Sequence, residues 1–149
     1  MKKQLLYTDL AKYYDLIYSF KAYKKESEQV KRFIKKYKKS EGKELLDVAC
    51  GTGKHLKYLQ DKFNCTGVDI NEGMLKIAKE NFPNVTFQKS DMIKLNINKN
   101  FDIITCLFSS IGYVKTYKNL RKAIYGFSNH LNKGGVLIIE PWISKEDYN

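Results

Sequence analysis

The segment Leu45-Leu46-Asp47-Val48-Ala49-Cys50-Gly51-Thr52-Gly53, followed by Asp69 at the end of Cys65-Thr66-Gly67-Val68-Asp69-Ile70, constrains the fold more than any other part of the chain. An apolar run ending in closely spaced glycines, a helix-length stretch and a second apolar run ending in a carboxylate read as a βαβ unit. Glycines at the first turn let backbone approach a ligand, and an acid at the end of the second strand accepts hydrogen bonds from ribose hydroxyls, so the pattern is a nucleoside-binding one. The dinucleotide fingerprint G-x-G-x-x-G is incomplete, because Leu56 stands where the third glycine belongs. No pyrophosphate loop is implied.

Further strands follow at βα spacing. Asn84 to Met92 reads as a third strand ending at the acid Asp91, Phe101 to Phe108 as a nearly all-apolar fourth, and Gly134 to Glu140 as a fifth. Apolar runs without alternation are expected of strands covered by helices on both faces. Between them, Lys54 to Phe63 reads as a helix. Asn71 caps another through Met74, Leu75, Ile77 and Ala78 to the break at Pro83, and Thr116 or Lys118 starts a third that ends at Gly134-Gly135. The pattern αα-βαβαβ-βαβ with right-handed crossovers predicts an α/β fold, a Rossmann-like doubly wound parallel sheet of order 3-2-1-4-5. Residues 1–149 read as one domain, with amino-terminal helices over 1–43 and the βαβ core over 44–142.

Composition sets limits on function. The chain carries a formal charge of +11, and residues 1–43 hold thirteen Lys/Arg against five Asp/Glu. The excess falls mainly on one helix, Lys24 to Lys39, where Val30, Phe33, Ile34 and Tyr37 form the apolar face and Lys31, Lys35, Lys36, Lys38 and Lys39 face out. A solvated lysine face is favoured over nucleic-acid binding, since no zinc ligands, RNP-type aromatics or arginine-rich tracts accompany it. No apolar run is long enough to span a bilayer and no secretory signal follows Met1-Lys2-Lys3-Gln4, so no membrane association is expected. Cys50, Cys65 and Cys106 form neither a C-x-x-C pair nor a disulfide framework, which points to the reducing cytoplasm.

Asp47-x-Ala49-x-Gly51-x-Gly53 resembles the first motif of class I S-adenosylmethionine-dependent methyltransferases, with Ala49 where glycine is more usual. Phe108-Ser109-Ser110-Ile111-Gly112-Tyr113, Glu140-Pro141-Trp142 and Tyr13-Tyr14-Asp15-Leu16-Ile17-Tyr18 are together similar to the N,N-dimethyltransferases that act on nucleotide-linked amino sugars of the desosamine and mycaminose type. Lys21-Ala22-Tyr23-Lys24-Lys25 departs from that group's Arg-Gly-Lys-Asp-Tyr. A complete class I fold adds a helix and two more strands, so the expectation is a sheet lacking the usual last two strands.

The resemblance implies S-adenosylmethionine as cofactor, S-adenosylhomocysteine as product and a small-molecule amine as acceptor. It implies cofactor contacts from Asp47, Ala49, Gly51 and Gly53 at the first turn, Asp69, Ile70 and Met74 after the second strand, Asp91 and Met92 after the third, and Leu107 after the fourth. Tyr14 closes over the methionine end, and Lys21 replaces an arginine near the cofactor carboxylate. Methyl transfer from a sulfonium needs neither metal nor covalent nucleophile, so no metal site is expected; Tyr14 and Tyr113 are the candidate catalytic residues, each with an aromatic packing role as its alternative. His130 reads as a structural residue, whereas His55 lies close to the glycine turn. Two other readings stay open: an RNA or protein methyltransferase using the basic helix, and a non-catalytic protein of methyltransferase fold. The fifth strand, 136–140, is expected to present an apolar edge to a second copy or a completing polypeptide.

Overall fold

The computed structural model describes residues 11–142. The start of the amino-terminal segment, 1–10, and the tail 143–149 lie outside the described residues, and with them the expectation about strands after Trp142. Helices α1 (Ala11–Ile17) and α2 (Tyr23–Tyr37) precede β1 (Glu44–Val48), α3 (Leu56–Leu59), β2 (Asn64–Asp69), α4 (Glu72–Asn81), β3 (Thr86–Lys89), β4 (Phe101–Cys106), α5 (Tyr117–Asn129) and β5 (Leu131–Ile139). The five strands form one all-parallel sheet of order β3-β2-β1-β4-β5, as expected.

β1 and β4 occupy the centre and are buried almost throughout. Leu45 and Ile103 face a layer with Leu56, Leu59, Leu75 and Ala78, joined by Val30 and Ile34 of α2. Leu46, Val48 and Ile104 face the other, with Phe101, Ala123 and Phe127. Two covered faces explain why these strands carry continuous apolar runs. Asn71 caps α4, accepting from the Met74 N–H at 3.1 Å, and Thr116 caps α5, accepting from the Asn119 N–H at 3.1 Å. Among the described residues no helix is long and apolar enough to cross a membrane.

Several local expectations are corrected. The helix read over Lys54 to Phe63 contracts to Leu56–Leu59, because the chain between Gly51 and His55 is spent on the turn that receives the N-terminal helices. β3 begins at Thr86 and stops at Lys89. Gly134-Gly135 does not end α5, whose C-cap is His130, but lies inside β5, where the register with β4 jumps from Phe101↔Leu131 to Ile103↔Val136. Gly134 takes φ 79 there, and its carbonyl accepts from the Lys39 and Ser40 N–H groups at 2.8 and 2.9 Å, tying the end of α2 to the sheet. Of the apolar face read on α2, Val30 and Ile34 are buried, together with Ser27 one turn earlier, while Phe33 and Tyr37 are exposed.

Candidate functional site

The turn after β1 is built from three left-handed positions within five residues: Ala49 at φ 57, Gly51 at φ 55 and Gly53 at φ 82. A Cβ on Gly51 would meet nothing closer than Met74 Cε at 3.7 Å, so backbone conformation alone calls for glycine there. At Gly53 a Cβ would also lie 3.0 Å from the Phe82 ring. The Cys50 N–H extends the β1–β2 pairing to the Val68 carbonyl at 3.0 Å, which brings the turn beside the end of β2. There Asp69 grips it: Oδ2 accepts from the Gly51 N–H at 2.9 Å and Oδ1 from the Asn71 N–H at 2.8 Å. Each carboxylate oxygen still has capacity for another donor. Burial pushes the Asp69 carboxyl above its ordinary range, and these backbone donors pull it back.

Asp47 lies at the floor of the site, 2% exposed, with Oδ1 accepting from the Thr105 hydroxyl at 2.8 Å. Burial raises its pKa to about 6, against the opposing pull of His55 and the Thr105 hydroxyl. Above the floor, the turn is fastened to the N-terminal helices through two carboxylates. Thr52 donates to Asp15 at 2.6 Å and Lys54 pairs with the same group at 3.2 Å. His55 Nε2 meets Glu26 at 2.8 Å and Lys21 Nζ meets it at 2.6 Å, so Glu26, hydrogen-bonded first of all to His55, falls to a pKa of about 2. Tyr23 packs edge-on against His55, with ring centroids 5.0 Å apart, and burial pushes its phenol up to about 12. The result is a cleft walled by the turn, by Tyr14 and Tyr23, and by Leu107 and Phe108 at the end of β4.

Of the residues expected at the site, Tyr14, Asp47, Ala49, Gly51 and Leu107 line this cleft. Gly53 is buried beneath it. Asp69, Ile70 and Met74 continue from its edge, Ile70 half in solvent and Met74 buried below Gly51. Asp91 caps a short 3-10 turn over Met92–Lys94, accepting from the Ile93 N–H at 2.9 Å, with Met92 half-buried beside it. Lys21 does not line the cleft; its ammonium is held by Glu26 and by the Phe108 ring, 4.0 Å from the centroid. Tyr113, 49% exposed on the 3-10 turn Ser110–Val114, also stands outside it. His130 is structural, its ring bridging the Gly126 carbonyl at 2.6 Å and the Ile97 N–H at 3.1 Å. Sequence reasoning missed Asp15, Glu26 and Phe108 as parts of the site. Asp15 and Glu26 lie 37 and 29 residues from their partners on the turn, and no local periodicity records such pairings.

A family model described as a methyltransferase domain matches residues 45–135, which runs from β1 into β5 and includes the turn, Asp69 and Asp91. The chain belongs to that methyltransferase-domain family. The domain is 36% identical over 143 residues to the dTDP-3-amino-3,4,6-trideoxy-alpha-D-glucopyranose N,N-dimethyltransferase of Streptomyces venezuelae, a match covering 94% of this chain and 60% of that enzyme. The crystal structure of Streptomyces venezuelae DesVI matches it with a TM-score of 0.87 at 35% identity, over 95% of this chain and 61% of that one. CalS10 of Micromonospora echinaspora, an amino pentose methyltransferase solved with SAM bound, matches with a TM-score of 0.82 at 33% identity, over 87% of this chain and 55% of that one. This methyltransferase domain thus spans little more than half the length of the curated relatives it matches.

Proposed function

We propose that the domain binds S-adenosylmethionine along the carboxyl ends of β1, β2 and β3 and transfers its methyl group to the amine of a small molecule, most specifically an amino sugar carried on a nucleotide. The observation that carries this reading is the Asp69 carboxylate, locked by two backbone N–H groups against the left-handed glycine turn with an acceptor site remaining on each oxygen for the ribose hydroxyls. Similarity to enzymes named as dTDP-amino-sugar N,N-dimethyltransferases supports the acceptor class.

In this reading Asp69 holds the ribose, Asp91 accepts from the adenine amino group, and Ile70 and Met92 flank the base. Asp47, Met74 and the Ala49–Gly53 backbone surround the methionine half, with Leu107 on the far wall and Tyr14 over the top. Transfer is an in-line displacement: the amine lone pair forms the new N–C bond as the C–S bond breaks, and the thioether of S-adenosylhomocysteine leaves. The amine loses a proton to water before reaction and attacks in its neutral form, so a protein base is optional and positioning and exclusion of solvent supply the rate. Tyr113, on the β4 side where the acceptor would enter, is the side chain assigned to assist that proton. The same reading puts the protein in the cytoplasm, supported by its three free cysteines. The outer edge of β5, unpaired among the described residues and carrying half-buried apolar side chains, is proposed as the strand at which a second copy or another polypeptide pairs.

Calorimetry with S-adenosylhomocysteine on the wild type and on Asp69→Ala tests the cofactor assignment. Binding that weakens by about 1–3 kcal/mol in the variant supports it; tight NAD binding with no adenosylhomocysteine signal sinks it. Labelled S-adenosylmethionine offered with total RNA and a panel of nucleotide-linked amino sugars tests the acceptor, and label entering only RNA or only protein rejects the sugar.

A further inference from the structure

The chain leaves β4 through a turn that ordinary residues adopt at a cost. Phe108 and Ser109 are both left-handed, at φ 53 and φ 58, and a bulky aromatic residue is a genuine outlier there. Strain of this kind persists only where the surroundings over-determine it. Here one residue at the end of the neighbouring strand supplies the determination. The Phe108 N–H donates to Glu140 Oε2 at 2.7 Å, the Ser109 N–H donates to the Glu140 carbonyl at 3.1 Å, and the Glu140 N–H donates to the Cys106 carbonyl at 3.0 Å. Pro141 restricts Glu140 to extended backbone, and Trp142 closes the unit by packing on Gly112, where a Cβ would lie 3.0 Å from the indole Cδ1. The segments Phe108–Tyr113 and Glu140–Trp142, separate in sequence, are therefore one clamp.

What the clamp fixes is the Phe108 ring. That ring lines the cleft, takes the edge of Tyr18 at 5.1 Å between centroids and carries the Lys21 ammonium on its face. Released from φ 53 to the ordinary region, Phe108 would leave its place in the wall. We propose that Glu140 is a positioning residue: by accepting the Phe108 N–H it holds the strained Phe108–Ser109 turn, and through it the aromatic wall of the cleft, in the geometry that encloses the bound cofactor. The functional half of this inference rests on the proposed cofactor reading; the clamp itself does not.

The test separates the two. Hydrogen exchange at the Phe108 amide of the ligand-free protein reads the clamp, calorimetry with S-adenosylhomocysteine reads its consequence, and a thermal melt reads global stability. Glu140→Ala is expected to speed exchange at Phe108 and weaken adenosylhomocysteine about tenfold, the loss that corresponds to releasing one strained residue. Glu140→Gln, whose amide oxygen can accept the same N–H, should stay within about twofold of wild type. In a Ser109→Gly background, where glycine takes φ 58 without strain, the effect of Glu140→Ala should shrink. The proposal is overturned if Glu140→Ala leaves both Phe108 exchange and affinity unchanged, or if its loss is as large in the Ser109→Gly background. A wild type that binds no adenosylhomocysteine refutes the cofactor reading while the exchange arm still decides the clamp.

Discussion

Replacing Ala49 by glycine should stabilise the protein, against the usual expectation for an Ala→Gly change. Ala49 is held at φ 57 between Asp47 and Gly51. A left-handed L-residue costs roughly 1–2 kcal/mol relative to its preferred region, a cost glycine does not carry. Two terms oppose the gain. Glycine gives the unfolded chain about 0.4–1 kcal/mol of extra conformational freedom, and removal of a half-buried methyl forfeits a fraction of the roughly 0.8 kcal/mol that a fully buried one contributes. The balance favours glycine by about 0.5 kcal/mol, a rise of about 1–2 °C in melting temperature for a chain of this size. Lys115 provides the control, since it is also left-handed, at φ 65, but exposed at the end of the Ser110–Val114 turn; Lys115→Gly should gain at least as much. Urea denaturation of the wild type and both variants gives the three values. If Ala49→Gly destabilises by more than about 0.5 kcal/mol while Lys115→Gly stabilises, packing of the methyl rather than backbone strain governs the turn, and the argument is wrong.

Three further outcomes are expected. Burial raises Asp47 from 3.8 to about 6, so the folded state keeps a proton that the unfolded state has released; stability falls as pH rises through roughly 4 to 6 and the deficit persists above it. Asp47→Asn, which can still accept from Thr105, should flatten that slope and gain up to about 3 kcal/mol at pH 7.5, while weakening adenosylhomocysteine; urea denaturation across pH and calorimetry check both halves. Glu26 has the opposite sign: its pKa drops from 4.5 to about 2 through His55 and Lys21, so its contribution is present above about 4.5 and lost as pH falls toward 2, and Glu26→Gln should remove that part of the acid sensitivity in an acid titration followed by circular dichroism. In the core, Gly67→Ala places a Cβ 2.7 Å from the Phe87 ring and 2.9 Å from Cys50 Sγ, and should cost about 1–3 kcal/mol by denaturant titration.

The sheet order was legible because β1, β4 and β5 announce themselves locally as largely apolar runs and β2 ends at an acid, and right-handed crossovers then leave little choice of order. Asp47, Gly51, Asp69 and Asp91 could be read as candidates because they lie at or just beyond strand ends, where a doubly wound sheet places its ligand; of these, Asp47 and Gly51 line the cleft. Glycine chemistry was more ambiguous. Gly134-Gly135 satisfies the signal for a helix end and the signal for a strand irregularity equally well, and only the pairing of β5 with β4 separates them. The left-handed backbone of Ala49 and Phe108 carries no residue-type mark at all. Lys21 was placed near the cofactor carboxylate on resemblance, while the structure commits its ammonium to Glu26 and Phe108, contacts that depend on how α1 and α2 fold over the turn.

One side chain of the cleft bears on how such a protein survives its own chemistry. Cys50 lies in the wall where a sulfonium methyl donor is proposed to sit, and a thiolate there would be the strongest nucleophile within reach of it. Burial, reinforced by the neighbouring carboxylates of Asp47 and Asp69, pushes its pKa well above the ordinary thiol value of 9.0. At neutral pH the sulfur therefore stays protonated, its S–H directed at the Gly51 carbonyl. Burial of the thiol first, and the carboxylates around it second, would then act as chemical insulation against alkylation by the reagent the protein is proposed to carry.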